Sequence, residues 1–375
     1  MFETKPDMGK DFAFISRDGK KVSWHSVEFL HSEGRNRWKG WYCSAGIQSL
    51  YIDFDGNVFS GTCEVGGWYG NVFKGPHHDS QKLWLDTRWK QCAAEACQCG
   101  SDMYSPKVKS KDLVPSPVQK DMGEFFDSVA ALKPERVDLV DEPGMIVSGA
   151  LRYFKLLLWD LGRRCNYDCS YCFSEVHNNF EAHKSLGSLK QAVDFIHRYW
   201  KQGWRIKWVI TGGEPTVNPN YLDLVRHIKA PLKPGDPGTE GREVLPDAVH
   251  TTTNGSRDPE FFSELMRLSD IGFSGHLEYL KDRESSARFV ANVRECVAVR
   301  RNDADAALNW LGIRIMLKPG LLDVARVLRD QLVEIPGLRE HAHVNFDLLH
   351  EKTDKSHLLP YNEAEVAFAT SPFGA

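Results

Sequence analysis

Eight of the nine cysteines in this 375-residue chain fall in two groups, and that clustering constrains the fold more than any other feature. One group is Cys165, Cys169 and Cys172, spaced C-x3-C-x2-C. The other is Cys43, Cys63, Cys92, Cys97 and Cys99. The segment from Met1 to Lys10 is polar with no apolar signal region, so a soluble, cytoplasmic chain is expected. In that setting clustered cysteines read as metal ligands before disulfides. The ninth, Cys296, shares helical spacing with Phe289, Val293 and Val297 and reads as core.

Three thiolates on a short loop can hold three corners of a cubane iron–sulfur cluster, leaving one iron open to a ligand. A structural zinc site and buried free thiols are the alternatives. Zinc favours four ligands, and beyond the loop only the distant His177 offers another. The formal net charge of −4 provides no global basic field for nucleic acid or anionic lipid. Apolar runs such as 156–159 are too short to span a bilayer, so no membrane partner is expected.

Periodicity divides the chain. Residues 1–102 are rich in tryptophan and glycine, and Tyr51 to Phe59 reads as a hairpin around Asp55-Gly56. Residues 103–150 carry Pro106, Pro115, Pro117, Pro134 and Pro143 and read as a surface linker with one short helix near 124–132. From 151 to 350 strands and helices alternate. Strands are expected at 154–159, 206–210, 249–253, 271–277, 311–317 and 344–349, with helices between them. The first of these helices would be N-capped by Ser188 and closed by Gly203. Six β/α units imply an α/β fold with a parallel sheet, whose active groups gather at the strands' C-terminal ends. Residues 351–375 read as a tail.

The loop Cys165-Asn166-Tyr167-Asp168-Cys169-Ser170-Tyr171-Cys172 follows the first strand of that series. It resembles the signature of the radical S-adenosylmethionine (radical SAM) superfamily, C-x3-C-aromatic-C, with Tyr171 in the aromatic position. Thr211-Gly212-Gly213-Glu214-Pro215 is similar to the family's GGEP motif, and Thr252-Thr253-Asn254-Gly255 to its T-N-G. The resemblance implies a partial (β/α)6 barrel. It also implies a [4Fe–4S] cluster on Cys165, Cys169 and Cys172, with S-adenosylmethionine chelating the open iron and its ammonium held by Glu214. Tyr171, Gly212, Gly213, Pro215, Asn254, Ser274 and Arg314 are the further cofactor-binding candidates. Cleavage of the sulfonium by one electron would give a 5′-deoxyadenosyl radical that abstracts hydrogen from a substrate. An electron donor such as flavodoxin or ferredoxin is then a partner.

The hairpin between Cys43 and Cys63, followed by Cys92-x4-Cys97-x-Cys99, resembles the SPASM or twitch auxiliary-cluster region. Here it precedes the radical SAM segment, whereas in the family it follows. The resemblance implies a second [4Fe–4S] cluster on Cys43, Cys63 and two of Cys92, Cys97 and Cys99; a zinc ribbon-like site is the alternative. It also implies a peptide or protein side chain as substrate. Modification or isomerisation of a nucleobase-attached group in nucleic acid is the second reading, and a non-catalytic iron–sulfur redox or sensing protein the third.

Overall fold

The computed structural model describes residues 12–74, 88–97, 100–114, 122–148, 154–172, 178–241, 243–349, 358–371 and 373. The chain divides into two compact units. Unit 1 comprises Met1–Leu158, Gln191–Lys207 and Leu232–Leu245, and unit 2 comprises Trp159–Lys190, Trp208–Pro231 and Pro246–Ala375.

Unit 1 contains β1 (Phe12–Ser16), β2 (Lys21–His25), α1 (Val27–Ser32), β3 (Tyr42–Cys43), β4 (Ser49–Ile52), β5 (Asn57–Phe59), β6 (Trp68–Asn71) and β7 (Lys90–Gln91). It continues with α2 (Gly100–Tyr104), β8 (Lys107–Val108), α3 (Met122–Ala131), β9 (Glu135–Arg136) and β10 (Pro143–Ser148). Seven strands form one sheet in the order β7-β3-β8-β10-β1-β2-β9. Phe12, Phe14, Leu30, Trp38, Met103, Val140 and Ile146 make its apolar core, and Cys97 is buried among them. The expected hairpin is present: Tyr51 pairs with Phe59 and Ile52 with Val58. The Asp53 carboxylate accepts from the Asp55 and Asn57 amides at 2.9 and 2.8 Å, and Gly56 supplies the positive φ of 83° that this turn needs.

The stretch 103–150 is not a linker laid on the surface. β10 lies against β1 along its length, with Phe12 opposite Ser148 and Phe14 opposite Ile146, and β8 pairs with β10. The prolines suggested a loop, but Pro106 precedes β8 and Pro143 opens β10, positions where a missing N–H costs no ladder bond. Pro115 and Pro117 lie outside the described residues.

β11 (Lys155–Asp160) and β12 (Ile206–Thr211) enter unit 2 through their C-terminal residues. Between them runs α4 (Leu186–Ile196), continued by a π-helical turn to Lys201 and closed at Gln202 and Gly203, both at positive φ. Its cap is Ser185, not Ser188: Ser185 Oγ accepts from the Ser188 amide at 3.1 Å. The apolar stripe begins at Leu189, so the pattern shows the packed face and hides the exposed first turn.

Unit 2 continues with α5 (Tyr221–Ile228), β13 (Ala248–Thr253), α6 (Pro259–Leu268), β14 (Asp270–His276), α7 (Leu277–Leu280), α8 (Arg283–Asn302) and β15 (Leu311–Leu317). It ends with α9 (Leu322–Val333), α10 (Leu338–His341), β16 (His343–Leu348) and α11 (Glu363–Thr370). The strands run β11 to β16 in sequence order, and β13, β14, β15 and β16 pair in parallel, the α/β architecture expected. One face of β14 is apolar: Phe273 packs between Phe262 of α6 and Phe289 of α8, with centroids 5.0 and 5.7 Å away. The alternate residues Gly272, Ser274 and His276 are only half-buried, so they present the sheet's other face. The expected tail contains α11, which carries an Asn362–Glu365 capping box and sets Phe368 against Phe346 at 4.8 Å. No helix among the described residues is long and apolar enough to cross a membrane.

Candidate active site

Residues 161–172 extend from the end of β11, and the glycine pair Gly212-Gly213 seats against them. The Leu161 amide donates to Thr211 O, the Gly213 amide to Gly162 O and the Glu214 amide to Arg164 O, at 2.9, 2.9 and 2.8 Å. A Cβ on Gly212 would stand 2.6 Å from Gly162 O, and one on Gly213 would stand 2.4 Å from Arg163 O. Any side chain at either position would push the cysteine loop off the strand ends. The glycines therefore serve approach of backbone to backbone.

Glu214 is buried, with 3% of its surface exposed. Its Oε1 accepts from the Thr216 amide at 3.0 Å, from Thr216 Oγ1, and from Thr253 Oγ1 at 2.8 Å. Its Oε2 accepts from the Asn254 amide. The carboxylate thus ties the end of β12 to the end of β13, while Pro215 opens the 3-10 turn that follows. Burial pushes the Glu214 pKa up, and the donors from Asn254, Thr216 and Thr253 only partly oppose it. The same carboxylate lines a cleft with Leu161, Gly162, Arg164 and His183. A buried carboxylate with no cation paired to it among the described residues gains from an arriving positive charge, so the site fits an ammonium ligand.

Asn254 Nδ2 donates to Asn166 Oδ1 at 2.9 Å, joining the T-N-G turn to the residue after Cys165. Tyr171 OH lies 2.6 Å from His276 Nδ1 at the end of β14. Burial lowers the His276 pKa to about 4 and raises that of the Tyr171 phenol, so both partners of this bond are held neutral. Tyr167 stacks on Tyr279 at 3.9 Å, and the Asp168 amide donates to Tyr279 OH. Cys169 is buried and Cys165 and Cys172 are half-buried, and none of the three is in a disulfide. Burial raises Cys165 to about 11 and Cys169 to about 12, the state of thiols whose protons a metal displaces. Three thiols on one docked loop, beside a buried carboxylate, suit a cluster with one open iron. His177 lies outside the described residues.

Ser274 and Arg314 are neighbours in register on β14 and β15. The Arg314 guanidinium is mostly exposed and pairs with Asp347 on β16 at 2.9 Å. Neither forms part of the hydrogen-bonded group around Glu214. Thr216, Thr253 and Tyr279 build the site, as does Glu278, whose carboxylate accepts from the Ser170 amide, and all four escaped the sequence reading. The signal for Thr253 lay within the T-N-G match, whereas Glu278 and Tyr279 carried none.

The second thiol group lies in unit 1. Cys43 ends β3 and stands opposite Lys107 of β8 and Lys90 of β7. Cys92 follows β7, its amide bonded to Trp41 O at 2.7 Å. The Cys63 amide donates to the Asp102 carboxylate at 2.9 Å, and Asp102 O accepts from the Lys107 ammonium. Cys97 is held to Asn36 by reciprocal bonds, and its buried thiol is influenced by the charge of Lys107, Asp102, Cys43 and Cys63. Cys43 therefore stands opposite Lys107 and Cys63 is tied to Asp102, whose carbonyl Lys107 also holds, while Cys92 and Cys97 come from the segment after β7. Cys99 lies outside the described residues. Among the described residues no three His, Cys, Asp or Glu side chains are gathered tightly enough to hold a single metal ion.

Residues 159–313 match the model of the radical SAM superfamily. Over 116 residues the chain is 33% identical to the GTP 3′,8-cyclase of Agrobacterium fabrum, covering 31% of this chain and 29% of the relative. The GTP 3′,8-cyclase of Brucella ovis is 32% identical over 116 residues, covering 31% and 30%. The chain thus spans less than a third of the length of these relatives. A solved structure described as native anSMEcpe with bound AdoMet aligns over 52% of each chain at 17% identity with a TM-score of 0.32. The superfamily uses a [4Fe–4S] cluster and S-adenosylmethionine, and residues 159–313 carry its cysteine loop with Glu214 docked beside it. The match is thus confined to residues 159–313, the segment that carries the Cys165–Cys172 loop and Glu214 and resembles the radical SAM superfamily.

Proposed function

We propose that the chain cleaves S-adenosylmethionine reductively and abstracts hydrogen from a peptide or protein side chain. The observation that carries the cleavage step is the buried Glu214 carboxylate, seated on the cysteine loop and tied to Thr253 and Asn254. Cys165, Cys169 and Cys172 would ligate three irons, and Glu214 would receive the ammonium of S-adenosylmethionine. When bound, the cluster and S-adenosylmethionine supply one electron, methionine and a 5′-deoxyadenosyl radical. Tyr171 and His276 brace the loop through their shared hydrogen bond, and the Gly212-Gly213 pair holds it against the strand ends. The Cys43, Cys63, Cys92 and Cys97 set, with Cys99 as a further candidate, supports an auxiliary [4Fe–4S] cluster. An electron donor of the flavodoxin or ferredoxin kind completes the reading.

A second substrate reading is a nucleobase-bearing compound, either nucleic acid or a guanine nucleotide, supported by the names of the curated relatives. Anaerobic reconstitution followed by reduction with S-adenosylmethionine tests the cleavage, with 5′-deoxyadenosine as the product measured. Its formation in Cys165→Ala, Cys169→Ala or Cys172→Ala would sink the assignment. Peptides, GTP and RNA added to parallel reactions separate the two substrate readings by which of them raises turnover.

A further inference from the structure

We propose that Glu278, paired with Lys318, is a positioning residue that fixes the Cys169–Cys172 turn and sets the charge beside the cluster. The proposal rests on the radical SAM reading above. Ser170 lies between two of the three loop cysteines. Its amide donates to Glu278 Oε2 at 2.8 Å and its hydroxyl to Glu278 Oε1 at 2.6 Å. The Lys318 ammonium donates to Ser170 Oγ at 2.8 Å and pairs with the same carboxylate. Glu278 sits in α7 directly after β14, and Lys318 directly follows β15. These strands run in parallel with His276 opposite Met316, so two adjacent strand ends deliver the pair to one residue of the loop.

This arrangement has an electrostatic consequence. Amide hydrogen bonds to cluster sulfurs and the net charge nearby both set the reduction potential. Glu278 takes up the Ser170 amide, which then cannot turn toward a sulfur, and it places a negative charge beside Cys169 and Cys172. Both effects hold the potential low. Lys318 offsets part of that charge.

The test uses the full chain, reconstituted anaerobically, in wild-type, Glu278→Gln, Glu278→Ala and Lys318→Met forms. Iron per chain is measured, and the cluster is titrated redox-wise by electron paramagnetic resonance. With iron content near wild type, Glu278→Gln should raise the potential and Lys318→Met should lower it. A merely structural role would move both the same way. The Ser170 amide should exchange faster in metal-free Glu278→Gln and Glu278→Ala, and S-adenosylmethionine cleavage by Glu278→Ala should fall about ten-fold or more. Potentials that shift together or not at all, or wild-type exchange at Ser170, would overturn the proposal. A wild-type protein that binds a cluster but makes no 5′-deoxyadenosine would overturn the radical SAM reading, while the opposed potentials would still decide the role of Glu278. A wild-type chain that takes up no cluster would overturn both.

Discussion

On the proposed function, Glu214 would serve a ligand and the fold with the same two oxygens. Glu214→Gln keeps the shape, but its amide NH2 must face either the Asn254 amide or the Thr216 and Thr253 donors. The variant should lose about 1–3 kcal/mol of stability in urea denaturation, the cost of a buried donor left unmet. It should also bind S-adenosylmethionine more weakly while keeping its iron. Unchanged affinity would remove Glu214 as the ammonium site, and unchanged stability would remove it as the tie between strands. His276 gives a pH signature. Its folded pKa, about 4, lies below the ordinary 6.5 because burial disfavours the imidazolium. The unfolded chain therefore takes up the proton first, and stability falls as pH drops from 6.5 towards 4. His276→Gln should show a smaller loss than wild type between pH 7 and pH 4.5, measured by urea midpoints. An identical loss would mean that the imidazole is not held neutral. Single residues were partly legible in the sequence: cysteine spacing and Gly-Gly-Glu-Pro marked the loop and its carboxylate. Glu278 and Lys318 were not, because they stand 108 and 148 positions from Ser170 and meet it only through the register of β14 and β15.

Elements with a clean period were legible almost to the residue. β12, β13 and β15 have the expected bounds or nearly so, because each alternates buried and half-buried residues or is buried along most of its length. Elements whose order comes from distant partners were hidden. β8 is two residues long and has no period of its own; its place is fixed by β3 on one side and β10 on the other. What anchors it is Lys107, only 1% exposed. Its ammonium donates to the carbonyls of Asp102, Met103 and Ser105 at 2.9, 3.2 and 2.8 Å and sits 4.4 Å from the Trp38 ring. In sequence this lysine opens the basic run Lys107-Val108-Lys109-Ser110-Lys111, inside the stretch expected to be a surface linker. In the fold it caps the C-terminal end of α2, where the last carbonyls run short of helical donors. Lys107→Met preserves the packing of the stem but strands those carbonyls. It should destabilise the protein by about 3 kcal/mol or more and speed amide exchange in β3 and β8. Wild-type exchange in those strands would show that the ammonium is not their anchor.

The chain as a whole carries its thiols in two units, and each set has its own support. Cys165, Cys169 and Cys172 lie on one loop held by the ends of β12, β13 and β14 within unit 2. Cys43, Cys63, Cys92 and Cys97 lie in unit 1, with Cys43 opposite Lys107 and Cys63 tied to Asp102. If both sets bind clusters, their placement in different units means that the two should load independently. If both hold cubanes, the reconstituted chain should contain about eight irons. The triple variant Cys165→Ala/Cys169→Ala/Cys172→Ala should retain about four, with the spectrum of a cubane and no cleavage of S-adenosylmethionine. Lys107 adds a condition to this count. A thiolate-bound cluster in unit 1 is an anion, and the buried ammonium opposite Cys43 offsets it, so Lys107→Met should lower iron retention there more than in unit 2. Iron analysis of Lys107→Met with and without the triple substitution separates the two losses. Zinc in place of iron in the triple variant, prepared anaerobically, would end the redox reading of unit 1. A triple variant devoid of metal would instead show that the unit 1 thiols do not form a centre of their own.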